Sequence, residues 1–205
     1  DVVSFSAARQ SFSPADQKVL DMYGNKRIEQ IKVIRTPIEK WIDTVVNIAS
    51  LGQFQSAAKK KNYDSLFHLY MLIFVEGLQN PILYEKNSTP RLTTDIPKEK
   101  YINSQTQMIR VPISLNSQLT LKQFVTNAQL LMKGEYWKYT FDKLNCQDFI
   151  ARSLQANQLL TPEAKEWIVQ DIQTIGKTLH PVIQSAFQKL TDLDAYGRKI
   201  LGRGL

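Results

Sequence analysis

Cys146, within DKLNCQDFI (142–150), is the only cysteine among 205 residues. A lone cysteine is more often a buried thiol than a reactive one, because free Cys is among the most buried residue types. Its neighbours supply a second reading. CQDFIARSLQANQLL puts Phe149, Ile150, Ser153 and Leu154 on one helical face, with Asn145 or a residue beside it as the cap. Cys146 then falls in the first turn, where unpaired backbone N–H groups and the helix dipole favour a thiolate. Those N–H groups also point to where an oxyanion would form if the sulfur attacked a carbonyl.

A thiolate nucleophile needs a base, and the chain has two histidines. His180 precedes Pro181 and reads as the cap of a last helix. His68 lies inside SLFHLYMLIFV (65–75), where an imidazole costs free energy unless both nitrogens are satisfied. Seventeen residues on, Glu85 ends the otherwise apolar ILYEK segment. A carboxylate there can hold the second ring nitrogen and fix the tautomer, completing a nucleophile, base and orienter. The hairpin register decides whether His68 and Glu85 share a face, and the sequence leaves it open, with a satisfied core histidine as the competing reading.

The elements that must position these residues are helical near both ends and strand-like between. SPADQKVLDMY (13–23) has Ser13 as N-cap, Pro14 at the first helical position, Asp16 in a box-like place and Gly24 as stop. IKVIR (31–35) reads as a small strand or extended connector. TPIEKWIDTVVNIASLG (36–52) is predicted helical, capped by Thr36, with Ile38, Trp41, Ile42, Val45, Val46 and Ala49 as its apolar stripe. Residues 1–55 are therefore expected to form a helical extension.

SLFHLYMLIFV is apolar on both alternating faces and is predicted to be a central strand, with PILYEK (81–86) as an antiparallel partner. QMIRVPI (107–113) is a third strand, with Pro112 near an edge or an end. SQLTLKQFVTNAQLLMKG (117–134) returns to helical spacing through Leu121, Phe124, Val125, Ala128 and Leu131, stopping at Gly134. YWKYTF (136–141) is expected as a strand or extended approach to the cysteine. TPEAKEWIVQDIQTIG (161–176) repeats the Thr-Pro-Glu start, with Trp167, Ile168, Ile172 and Ile175 buried; HPVIQSAFQKL (180–190) is a last helix, followed by a tail.

Composition bounds the reading. With 43% hydrophobic and 22% charged residues, the chain suits one globular domain plus an appendage. One cysteine cannot form an internal disulfide, which points to a reducing compartment such as the cytoplasm, or to a particle assembled there. The longest apolar run, LYMLIFV, is too short to cross a bilayer, and the N-terminus lacks the order of a signal peptide. Beginning at Asp1 without Met suggests a processed or excised chain. The net charge of +7 and pI near 9.4 allow contact with an anionic surface, lipid or nucleic acid, but the basic residues are scattered except for Lys59-Lys60-Lys61. No Cys/His spacing suggests zinc, and no metal or organic cofactor is called for.

Taken in order, FHLYMLIFVEG, ILYEKN and LNCQDFI resemble the His, Glu and Cys boxes of permuted papain-like thiol hydrolases. That clan includes NlpC-type relatives, lecithin:retinol acyltransferase-like enzymes and proteins of large DNA viruses. The match spans roughly residues 60–160, and YGNKRIEQIKVIRTPIEKWI with YDSLFHL looks closest to the viral members. The resemblance implies an α+β fold, a papain-like core whose antiparallel sheet packs on a Cys-bearing helix, with a helical N-terminal extension and C-terminal helices. It implies a catalytic domain over 56–192 and a tail over 193–205.

By position, Cys146 would be the nucleophile, His68 the base and acid, and Glu85 the orienter. The backbone N–H of Cys146 would contribute to an oxyanion hole, and Asn145 and Gln147 are positioning candidates. Some relatives use a second histidine or another polar residue as the third group. The expected function is an amidase or peptidase working through an acyl-enzyme. Lipid acyl hydrolysis or transfer is one alternative. Another is a binding module associated with a capsid, a membrane or nucleic acid, and a plain α+β domain in which Cys146 and His68 never meet is the third.

Overall fold

A strand apolar on both faces needs partners on both edges and cover on both sides. The computed structural model describes residues 11–37, 67–87, 89–96, 106–138 and 146–169. In it, β2 (Phe67–Val75) pairs antiparallel with β1 (Ile28–Pro37) on one edge and β3 (Ile82–Lys86) on the other. β4 (Pro90–Thr93) and β5 (Gln107–Val111) complete a five-stranded sheet in the order β4-β3-β2-β1-β5. With α1 (Pro14–Tyr23), α2 (Leu121–Met132), α3 (Cys146–Ala156) and α4 (Pro162–Ile168), this is an α+β fold built on an antiparallel sheet.

One face of the sheet carries Ile31, Val33, Leu69, Met71, Ile73, Ile82 and Tyr84, all fully buried against Phe124 of α2 and Phe149 and Ile150 of α3. Each such apolar side chain contributes about 1.5–3 kcal/mol by leaving water. The alternate residues Ile34, Tyr70 and Leu83 cluster on the other face. His68 and Glu85 belong to this second set by the period of two along a strand.

Local signals hold α1 and α2. Ser13 Oγ accepts from the Asp16 N–H at 3.2 Å, and Gly24 closes α1 by donating to Leu20 O at 2.8 Å. Only glycine fits there, since a Cβ would stand 2.3 Å from that same oxygen. Asp16 also accepts from Leu92 N at 3.1 Å and so ties α1 to β4. Burial raises the pKa of its carboxyl, while Ser13, Leu92 and Arg91 pull the other way. Thr120 and Gln123 form a full capping box at the start of α2.

Several expectations need correction. The strand read at 31–35 runs longer, over Ile28–Pro37, and lies inside the sheet between β2 and β5, so this part of residues 1–55 is not a helical extension. Thr36 is a strand residue paired with His68, not a helix cap. Thr-Pro fits a helix start and a strand end equally well, and the β-branched residues of β1 gain two ladders of hydrogen bonds. The rest of the helix predicted to Gly52 lies outside the described residues, as do Lys59–Lys61, Asn145, His180 and the tail. YWKYTF does not open as a strand: Tyr136 and Trp137 close a 3-10 turn (Lys133–Trp137), and Tyr136 packs at 5.4 Å on Phe149. In α2, Leu131 is exposed and Met132 takes the buried place. Strand β4 was not anticipated, being four residues long and opening on a proline.

Candidate active site

The sheet register settles what the sequence left open. Tyr70 is opposite Glu85, and His68, two residues before Tyr70 on the same strand, shares its face. Nε2 of His68 lies 2.8 Å from Oε2 of Glu85. The carboxylate is fully buried, whereas the imidazole is 24% exposed. Cys146 is the first residue of α3 and His68 the second of β2. The body of α3 packs on the opposite sheet face, through Leu69 and Met71, but at the two element ends sulfur and imidazole share a hydrogen bond.

Electrostatics follow from this order. Burial pulls the His68 pKa down, but the hydrogen bonds to Cys146 and Glu85 and the charges of both push it up to about 10. The imidazolium is therefore the form the fold favours at neutral pH. Because the folded value lies above the ordinary 6.5, this pairing stabilises the fold fully below about pH 6.5 and is lost as pH rises through about 10.

Four residues around the pair were not read as part of the site in the sequence. The Tyr70 ring stacks on the imidazole at 5.9 Å and 27°. Burial pushes its hydroxyl pKa up to about 12, so it stays a neutral donor. Thr36, across the strand from His68, lies 3.5 Å from that hydroxyl and 3.3 Å from Thr106 Oγ1. Asn87 and Arg91 reach the second oxygen of Glu85 at 3.3 and 3.5 Å. Alternation from His68 could have pointed to Tyr70; the others depend on register. Gln147, the residue after Cys146 in α3, is buried, while Asn145 is among the residues not described.

Under the first turn of α3 lies a charged network. Lys86, the strand neighbour of Glu85 and 2% exposed, points to the α3 side and donates to Glu135 O at 2.9 Å. Its ammonium stands 5.4 Å over the Phe149 ring. Arg152 spans Glu135 at 2.7 Å and Asp148 at 3.5 Å, so the 3-10 turn and the start of α3 are joined. Burial lowers the Lys86 pKa to about 8. A base depressed in the folded state sheds its proton there first, so the fold gains stability as pH rises from about 8 to 10.5. Lys86→Met removes this linkage. The stability difference between variant and native chain should shift by on the order of 3 kcal/mol in favour of the native chain over that window, measured by urea unfolding at both ends.

Among the described residues no cluster of three or more His, Cys, Asp or Glu could hold a metal, and no helix is long and apolar enough to cross a membrane. No family model, curated protein or solved structure matches this chain.

Proposed function

We propose that this chain is a cysteine hydrolase of the permuted papain-like type, an amidase or peptidase with Cys146 as nucleophile. The observation that carries the reading is the unbroken relay from sulfur to imidazole to buried carboxylate, assembled from a helix start and two adjacent strands. Its imidazolium supports the thiolate partner on which such enzymes depend. The order of the three residues along the chain, His68, Glu85, Cys146, adds the resemblance noted in the sequence.

The sulfur would attack the carbonyl carbon of an amide, forming an S–C bond while the carbonyl oxygen takes the electron pair. The N–H groups at the start of α3 would receive that oxyanion. As the C–N bond breaks, the imidazolium gives its proton to the leaving amine. Water then adds to the thioester carbon, with its proton passing to the imidazole, and the S–C bond breaks to release the acid. Glu85 holds the ring through both proton transfers and is not itself consumed.

The test is a panel of peptide anilides, p-nitrophenyl acyl esters and phospholipids, read by product release and by mass spectrometry of the intact chain. One acyl group on Cys146, absent in Cys146→Ala, is the expected result, with amides turned over in preference to lipid esters. Preference for the phospholipid would move the chain to lipid acyl chemistry. No acylation by any member, with salt-dependent binding to anionic vesicles or nucleic acid, would make it a binding module instead.

A further inference from the structure

The Glu85 carboxylate is fully buried, yet only one of its oxygens serves His68. A buried carboxylate favours its neutral form unless positive charge or hydrogen-bond donors hold it ionised. The β3–β4 hairpin supplies both. Register places Arg91 directly opposite Glu85, and Nη1 of Arg91 pairs with Oε1 at 3.5 Å. Asn87, two residues after Glu85, donates to the same Oε1 at 3.3 Å. The two donors converge on one oxygen and leave the other directed at the imidazole. We propose that Arg91 and Asn87 are positioning residues, which keep Glu85 ionised and its Oε2 aimed at Nε2 of His68; this rests on the Cys146–His68–Glu85 reading above.

Other charged or titratable groups bear on this carboxylate. From β2 come His68 and Tyr70, and from α3 comes Cys146 through the imidazole. From α1, Asp16 feels the Arg91 charge. Lys86 alternates to the far face of β3 and contacts Glu135 instead. Arg91 and the imidazolium are therefore the cations at Glu85 among these groups. Without Arg91 the carboxylate is held less firmly against the ring. The imidazolium then has less negative charge to hold its proton and gives it up at lower pH.

The experiment follows the rate of Cys146 alkylation by iodoacetamide against pH in the full chain, Arg91→Gln, Arg91→Lys and Asn87→Ala. The basic limb of the profile, set by loss of the imidazolium proton, should move down by roughly one unit in Arg91→Gln, return in Arg91→Lys and move down less in Asn87→Ala. If Arg91→Gln does not fold, the Asn87→Ala shift carries the test alone. A profile that keeps its limb, whether unchanged or lowered uniformly at all pH values, overturns the inference. Failure of the underlying triad looks different: the native chain itself would then show the steep rise of an ordinary thiol.

Discussion

Replacing His68 with alanine should convert a nearly level alkylation profile of Cys146 into one that climbs about tenfold per pH unit up to the ordinary thiol range near 8.5. On the proposed reading the sulfur faces an imidazolium that persists to about pH 10, so its reactivity should change little around neutrality. An ordinary thiol at pH 6 is thiolate to only about 0.3%. A thiolate held by an imidazolium would be intrinsically a weaker nucleophile than a free one, which would offset part of the gain from pairing. A rate loss of at least about tenfold at pH 6 is therefore expected, with the change of slope as the sharper signature. On a hydrolysable substrate the same variant also lacks the proton donor for the leaving group, and kcat/KM should fall by about 10²–10⁴. Peptide mapping of the alkylated chain and initial rates check both.

Glu85 separates charge from shape. Glu85→Gln keeps the volume and one hydrogen bond to Nε2 but removes the negative charge that helps to raise the His68 pKa. The basic limb of activity, set by loss of the imidazolium proton, should move to lower pH, and kcat/KM should fall by roughly 10–100-fold. Glu85→Ala goes further, since it strips the shared carboxylate from His68, Asn87 and Arg91 together. Breaking a buried pair costs about 3–5 kcal/mol. His68 and Arg91 are 24% and 27% exposed, so water recovers part of this and a loss of about 2–3 kcal/mol is expected by urea unfolding. If Glu85→Ala and Glu85→Gln behave alike in activity, the carboxylate charge plays no part in the chemistry.

What was legible in the sequence follows physical lines. The β2–β3 hairpin stood out because its residues are apolar on both faces, and the capping pattern at Ser13 is a local device that the fold retains. Cys146 at a helix start was readable from the spacing of Phe149, Ile150 and Leu154, all now buried. Thr36 misled because its hydroxyl and the following proline suit a helix cap, whereas pairing with β2 is a non-local gain that no window of sequence contains. The same holds for Arg91 and Lys86. One faces Glu85 through the register of a short edge strand, and the other is buried where a lone lysine reads as solvent-exposed.

The most direct test is the protonation state of His68, followed by ¹⁵N imidazole shifts from about pH 5 to 11 in the native chain and in Cys146→Ala. With two histidines in the sequence, His68→Ala assigns the signal. The ring should remain doubly protonated until about pH 10 in the native chain and titrate at a clearly lower pH once the sulfur is gone. Titration near the ordinary value of about 6.5 in both chains would show that thiol and imidazole do not act as a pair.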